Sequence, residues 1–312
     1  MPRFDVTIAG ELNLDLILYG LPAEIPPERE VLADRMMVTL GSSSAIVAHN
    51  LATLGNRVGF QSLVGHDELG QIALKRLAES GVDTSLVRHA RASQTGLTVL
   101  LQRQKWRNIL TFPGTIAELK FADLDIEYLS DTRHFHLSSY YLQSGLRAQV
   151  PELFRKLKAA GLTTSLDTND DPEDRWDDLR DVLRNIDIFL PNEREACKIA
   201  GTDDLGLAIK RLAEMVPLVV VKLGTKGAMA RRGDETMECP PLKVDAVDPV
   251  GAGDSFNAGF LHEYLRGSDP VKCLRSGNLA GALSTTRSGG TEAFRDREHR
   301  ESFLREHSYE AR

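Results

Sequence analysis

Cysteine is scarce in this chain of 312 residues: Cys197, Cys239 and Cys273 lie far apart, are odd in number and form no C-x-x-C pair. That pattern excludes a disulfide scaffold, disfavours structural zinc and points to a reduced compartment. Long apolar runs are missing as well. No stretch approaches the roughly 18 consecutive apolar residues of a membrane span, and Asp5 and Glu11 interrupt the apolar core that a signal peptide needs. The expectation is a cytoplasmic protein with no membrane partner. Basic charge is in deficit, with 38 Lys+Arg against 45 Asp+Glu and a net charge of -7. The surface as a whole is therefore no footprint for a phosphate backbone, and no nucleic-acid partner is expected.

Two further absences concern organisation. No Gly/Ser-rich linker marks a separate domain, and no repeat of fixed period runs through the chain. What is present is the composition of an ordinary globular protein, 42% apolar and 27% charged, long enough to bury a substantial core. Short apolar runs at 4–10, 58–64, 135–138, 163–167, 186–190 and 218–222 read as strands. Helices are expected over 44–54 before Gly55, over 69–80 before Gly81, around 150–160, from Asn192, and after Asp254 and Asp269. This rhythm predicts an α/β fold with a central, mostly parallel sheet and helices on both faces. Residues 12–40 and 95–112 break it, alternating like strands with no helix between. Thr98, Leu100 and Gln102 would face one way, and Val99, Leu101 and Arg103 the other. Such strands predict a small β-flap standing off the main sheet. From Glu292 the charge-dense end reads as a surface helix with a frayed terminus.

The strongest local signal is Asp248-Pro249-Val250-Gly251-Ala252-Gly253-Asp254-Ser255-Phe256. Two glycines two residues apart, directly before a helix, let backbone N–H groups converge on an anion. The helix follows from Phe256, Phe260 and Tyr264, which recur every four residues beside Leu261 and Leu265. Asp254 falls at its start, where the helix dipole favours the ionised form. Two readings stand: an N-cap Asp after a glycine turn, or a carboxylate beside an anion hole. The loop lacks the third glycine of G-x-G-x-x-G and the lysine of G-x-x-x-x-G-K-[ST], which disfavours a dehydrogenase and a P-loop NTPase. An anion hole with a carboxylate suits phosphoryl transfer to a hydroxyl: the carboxylate takes the proton and the N–H groups hold the developing charge.

This segment resembles the C-terminal signature of the ribokinase-like, PfkB-type carbohydrate kinases, and pieces in that family's order run over nearly the whole chain. Gly10-Glu11 followed by Asp15 resembles the first substrate-contacting strand, and 41–55 resembles the N-terminal signature. Gly65-His66-Asp67 with Gly70, and Thr95-Gly96, are similar to family landmarks. Asn192-Glu193-Arg194-Glu195 is similar to the N-x-x-E element, and Lys222-Leu223-Gly224 with Gly227 to the nucleotide strand and turn.

The resemblance implies one ribokinase-like kinase domain over 1–312, with lid strands from about 12–40 and 95–112. It implies ATP-dependent phosphorylation of a sugar or related polyol, with Mg²⁺. Carried over residue by residue, Asp254 is the base and the N–H groups of Gly251, Ala252 and Gly253 form the anion hole. Asp15 and Asn13, which alternation puts on one strand face, bind the acceptor with the Gly41, Ser42 and Ser43 loop. An ionised carboxylate accepts from a vicinal diol with both oxygens. Lys222, Gly224 and Gly227 lie along ATP, and Asn278 near adenine. Asn192 and Glu195 help hold Mg²⁺ through water, since that ion keeps several waters; their residue types alone also spell a capping box. Asp248 and the carbonyl of Val250, with carbonyls from 284–289, are implied to cage K⁺. The other reading is that Asp248 bonds its own turn before Pro249. A homodimer through the β-flap also falls within what the resemblance implies.

Several positions depart from the family pattern. Ser42 stands where many relatives carry a second glycine, and Ile46 where an Asn contacts the sugar, so Ser42, Ser43 and Ser44 are expected to supply hydroxyls instead. Asp170 and Asp171 stand where several sugar-acid kinases carry Tyr and Arg, and two acids repel a carboxylate. A nucleoside or sugar-phosphate kinase of the same fold, and a non-catalytic sugar- or nucleotide-binding regulator, are the alternatives. His134 and His136 share a strand face without a third ligand, an ordinary strand end rather than a metal site. Arg103, Lys105 and Arg107 around Trp106 read as solvated hairpin charge, with a sugar-phosphate contact as the other reading. Gly289-Gly290 after Ser288 reads as a loop.

Overall fold

The computed structural model describes residues 1–103, 106–177 and 179–307. The larger of its two sheets takes β1 (Val6–Ala9), β4 (Val58–Val64), β5 (Asp83–His89), β8 (His134–Leu137), β9 (Thr163–Leu166), β10 (Ile188–Phe189), β11 (Leu218–Lys222), β12 (Ala228–Arg232) and β13 (Glu235–Cys239). The smaller takes β2 (Leu14–Leu21), β3 (Arg35–Leu40), β6 (Leu97–Arg103) and β7 (Arg107–Phe112). In the larger, ordered β13-β12-β11-β10-β9-β8-β1-β4-β5, every pair from β11 to β5 is parallel. Only the β11–β12 and β12–β13 pairings, at one edge, are antiparallel.

The inner strands β1, β4, β8, β9, β10 and β11 are almost wholly buried because both faces of the sheet are covered. Along β11 the side chains alternate: Val219 and Val221 enter one core, and Leu218 and Val220 the other. The first core packs Leu153, Phe154 and Leu157 of the helix Val150–Ala159, and Ile209 and Leu212 of Leu205–Ala213. The second packs Val47, Leu51, Leu77, Phe260 and Leu274 from the helices Ser43–Thr53, Glu68–Glu79, Ala252–Leu265 and Pro270–Thr285. The expected α/β layering is therefore present, with strand ends lying within a residue or two of those read from sequence. The sequence reading passed over β5, β12 and β13.

The two segments that broke the rhythm form the smaller sheet, ordered β3-β2-β6-β7, with β2 and β6 parallel. Ile17 and Leu100, paired across β2 and β6, dock on Val250 of the glycine-rich segment. The opposite face leaves Met36, Leu110 and Phe112 more than half exposed, at 62%, 54% and 52%. Residues beyond Glu292 form two short helices, Glu292–Arg295 and Arg297–His307, instead of one. The frayed terminus expected beyond them, 308–312, and Lys105 lie outside the described residues. Among the described residues no helix is long and apolar enough to cross a membrane.

Candidate active site

Gly251 is the N-cap of the helix Ala252–Leu265, with φ at 72°. A Cβ on it would lie 2.4 Å from the Cα of Gly290. Only glycine lets the chain turn left-handed while pressed against a second backbone. The first N–H groups of the helix have no intrahelical partners, the arrangement that binds anions, although Ala252 N–H also donates to the carbonyl of Pro249 at 3.3 Å. Lys222 Nζ stands 3.7 Å from where a Cβ of Gly253 would be, adding a positive charge to that side.

Asp254 is the third residue of the helix, not its cap, and no side chain caps that end. This overturns the N-cap reading. The expectation that the dipole keeps it readily ionised also needs correction. Asp254 is 8% exposed, and burial, then the charge of Asp167, push its pKa up to about 6 against the pull of Lys222 and a hydrogen bond with Ser43. Desolvation outweighs the dipole here. Such a carboxylate is ionised near neutrality and still basic enough to take a proton. Asn169 Nδ2 donates to its Oδ1 at 3.5 Å.

Asp167, directly after β9, is fully buried and accepts from Lys222 Nζ and, at 2.5 Å, from Asn257 Nδ2. Burial works against the ammonium of Lys222, but Asp167 and Glu195 outweigh it and hold the pKa up. Lys222 thus lies between this pair and a cleft of 520 Å³ that Asn192 and Gly224 also line. Sequence reasoning gave Asp167, Asn169 and Asn257 no role. The available signal was their place at the carboxyl end of a parallel strand and one turn beyond Asp254, where α/β folds bind ligands.

Asn192 and Glu195 form a reciprocal capping box: Asn192 Oδ1 accepts Glu195 N–H at 2.9 Å, and Glu195 Oε2 accepts Asn192 N–H at 2.8 Å. The capping role is therefore real. Burial, then Asp167, push Glu195 up to about 7, so this oxygen set is short of positive charge. Among the described residues no group of three or more His, Cys, Asp and Glu could hold a metal ion. Oxygen donors needing charge, without a full cage, fit an ion that keeps most of its waters. Gly227 backs onto the carbonyl of Cys239. Asn278, expected near adenine, donates to the carbonyl oxygens of Pro240 at 2.9 Å and Cys239 at 3.3 Å, bracing the segment after β13.

On the acceptor side, Asp15 is 6% exposed. Burial, then Asp254, push it up to about 7, while Arg107 of β7 pulls it down. A Cβ on Gly41 would meet Asp15 Oδ1 at 2.1 Å, so this glycine makes room for the carboxylate. Asn13 is buried beside it and donates to the carbonyl of Leu14 at 3.1 Å. The serines divide differently from expectation. Ser42 caps the helix Ser43–Thr53 and donates to the Glu11 carbonyl at 2.6 Å. Ser44 donates to Glu11 Oε2 at 2.6 Å. Of the three, Ser43 is the one that meets Asp254. Ile46 is buried with its Cδ1 against Gly251 and Gly290, packing the anion loop.

The two acids expected to repel a sugar acid are engaged elsewhere. Asp171 accepts the N–H groups of Glu173, Arg175 and Trp176, and Asp170 pairs with Arg194 at 2.5 Å on the surface. His134 and His136 are fully buried and share Ser165 Oγ, at 2.8 and 2.7 Å, with burial driving both down to about 3. They are neutral packing residues. Arg103 donates to the carbonyl of Ala23 at 2.8 Å.

Asp248 bonds its own turn, accepting Val250 N–H at 3.0 Å, and it also accepts Gly289 N–H at 3.2 Å and the Tyr19 hydroxyl at 2.5 Å. These three donors on its two oxygens fit the turn reading of this carboxylate.

A mostly parallel nine-stranded sheet between helices, with a second four-stranded sheet, is the ribokinase fold. A family model for PfkB family carbohydrate kinases matches residues 3–297. The chain belongs to that family, whose members are ATP-dependent phosphotransferases. An uncharacterized sugar kinase of Archaeoglobus fulgidus is 31% identical over 78% of this chain and 96% of its own. An ATP-dependent ribose-1-phosphate kinase of Halopiger xanaduensis is 30% identical over 92% of this chain and 94% of its own. An E. coli protein assigned as a ribokinase II, solved with ATP and Mg²⁺, superposes with a TM-score of 0.84 at 26% identity, covering 97% of this chain and 99% of its own.

Proposed function

We propose that this kinase transfers the γ-phosphoryl group of ATP to a hydroxyl of a sugar or small polyol, with Asp254 as the general base. The observation that carries the proposal is a buried carboxylate, raised by burial to about 6, at the third residue of a helix that begins at a glycine loop. Asp15 of β2 and Asn13 just before that strand hold the acceptor under the smaller sheet, which acts as a lid within a single kinase domain. Asp254 takes the proton of the attacking hydroxyl, and the N–H groups of 251–253 balance charge on the transferring phosphoryl group. Lys222, kept charged by Asp167, stands beside them; Gly224 lines the nucleotide cleft. Mg²⁺, held through water by Asn192 and Glu195, would neutralise phosphate charge.

A phosphorylated sugar as acceptor is the second reading. Arg107 supports it, because its charge reaches Asp15 from the lid. The apolar outer face of the lid, with Met36, Leu110 and Phe112 exposed, supports a homodimer through that sheet. Three free cysteines fit a cytoplasmic setting, and neither nucleic acid nor membrane is a partner in this proposal. The test is ADP formation from ATP and Mg²⁺ across sugars, sugar phosphates and nucleosides. Acceptor-dependent ADP release from one class supports the proposal; nucleotide binding with no ADP from any acceptor would make the chain a regulator.

A further inference from the structure

Asp15, Ile17 and Tyr19 alternate onto one face of β2. The Tyr19 hydroxyl donates to Asp248 Oδ2 at 2.5 Å, joining the smaller sheet to the segment that enters the anion loop. Burial and Asp248 push the phenol up to about 12, so it stays a protonated donor. Arg35, directly across on β3, holds its guanidinium carbon 3.9 Å above the centre of the Tyr19 ring and donates to Ser288 Oγ at 3.0 Å. Asp248 takes Val250 N–H on one oxygen and Gly289 N–H on the other. Val250 precedes Gly251, and Gly289 precedes Gly290, against which Gly251 is pressed. One carboxylate therefore ties both walls of the anion loop, and its third donor comes from the smaller sheet.

We propose that Tyr19, with its ring fixed by Arg35, is a positioning residue that makes the geometry of loop 251–253 conditional on docking of the smaller sheet. The proposal rests on the function given above. The strand that brings Asp15 to the acceptor also carries the hydroxyl that steadies the loop, four residues and about 13 Å further along. Closing over an acceptor and presenting the loop N–H groups are then one event. Whenever the sheet lifts from this docked position, Asp248 loses a donor and the loop relaxes.

Tyr19→Phe removes only the hydroxyl. In amide hydrogen exchange without substrates, 250–253 and 289–290 should exchange roughly tenfold faster in the variant, as expected for loss of a hydrogen bond to a charged group. The helix Val150–Ala159 should be unchanged. In turnover, kcat should fall about tenfold with the KM for ATP within about twofold of wild type. Unchanged exchange at 250–253, or an equal rise throughout the protein, overturns the proposal. The exchange arm needs no acceptor, so a wild-type enzyme that phosphorylates nothing would refute the function while exchange still decides the role of Tyr19.

Discussion

Burial raises both carboxylates that face the proposed reaction, and it does so for opposite uses. Asp254, at about 6, needs basicity to accept a proton. Asp15, at about 7, needs its charge to hold hydroxyls. Both must be ionised in the free enzyme, so kcat/KM for the acceptor should climb as pH rises through about 6 to 7 and level off above. A pH–rate profile checks this, and a profile flat from pH 5 to 8 would contradict it. Asp15→Ala should raise the acceptor KM roughly 10- to 150-fold, the loss of about 1.5–3 kcal/mol of charge-assisted hydrogen bonding, while the KM for ATP stays put. If ATP binding weakened instead, the two sites would have to be exchanged. At Asp248 the donor set of Val250, Gly289 and Tyr19 leads to equal turnover in potassium and tetramethylammonium salts at fixed ionic strength. Activation by potassium that disappears in Asp248→Ala would restore the cation reading.

The smaller sheet is the element with two faces to explain. Its inner row docks through Ile17 and Leu100 on Val250, while the outer row exposes Leu110 and Phe112. Phe112→Asp should convert a dimer to a monomer in sedimentation velocity, since a charge in an apolar interface core is strongly unfavourable. A wild-type monomer at all concentrations would remove the proposed assembly. The existence of this sheet was legible in the sequence because period-2 alternation without a helix has few other outcomes. The glycine loop and the capping box were legible too, since both are set by residues within a few positions of each other. What stayed hidden was set by distant pairing. Asp167 and Asn257 meet only because β9 ends beside the helix Ala252–Leu265, and no local pattern encodes that contact. The division of labour among Ser42, Ser43 and Ser44 depends on where Glu11 and Asp254 lie in space. The edge strands β5 and β13, and β12 next to β13, escaped notice because several of their residues are polar and half-exposed, the alternation that partly solvated strands share with loops.

For the molecule as a whole, buried titratable groups oppose one another across the acid range. His49, His134 and His136 lie at about 4, 3 and 3, below the ordinary value of about 6.5. The unfolded chain therefore binds their protons first, and the stability they allow is lost as pH falls below about 6.5, by about 1.4 kcal/mol per pH unit for each. Asp15, Glu195 and Asp254 lie at about 7, 7 and 6. Here the folded chain binds protons first, so their contribution is lost as pH rises through those values and regained on acidification toward about 4. Three groups against three should leave Tm nearly level from pH 7 to about 5. Below about 4 the carboxylates held down in the fold, such as Asp67 and Asp171, lose their contribution and Tm should fall. Calorimetry across pH checks this, and a steady loss beginning at pH 6.5 would contradict it. The measurement closest to the central claim is acceptor-dependent ADP formation by Asp254→Asn, which keeps the size of the side chain and removes its basicity. In this variant kcat should fall about 10²–10⁴-fold with ATP affinity unchanged, and near-normal turnover would contradict the role of Asp254 as the base.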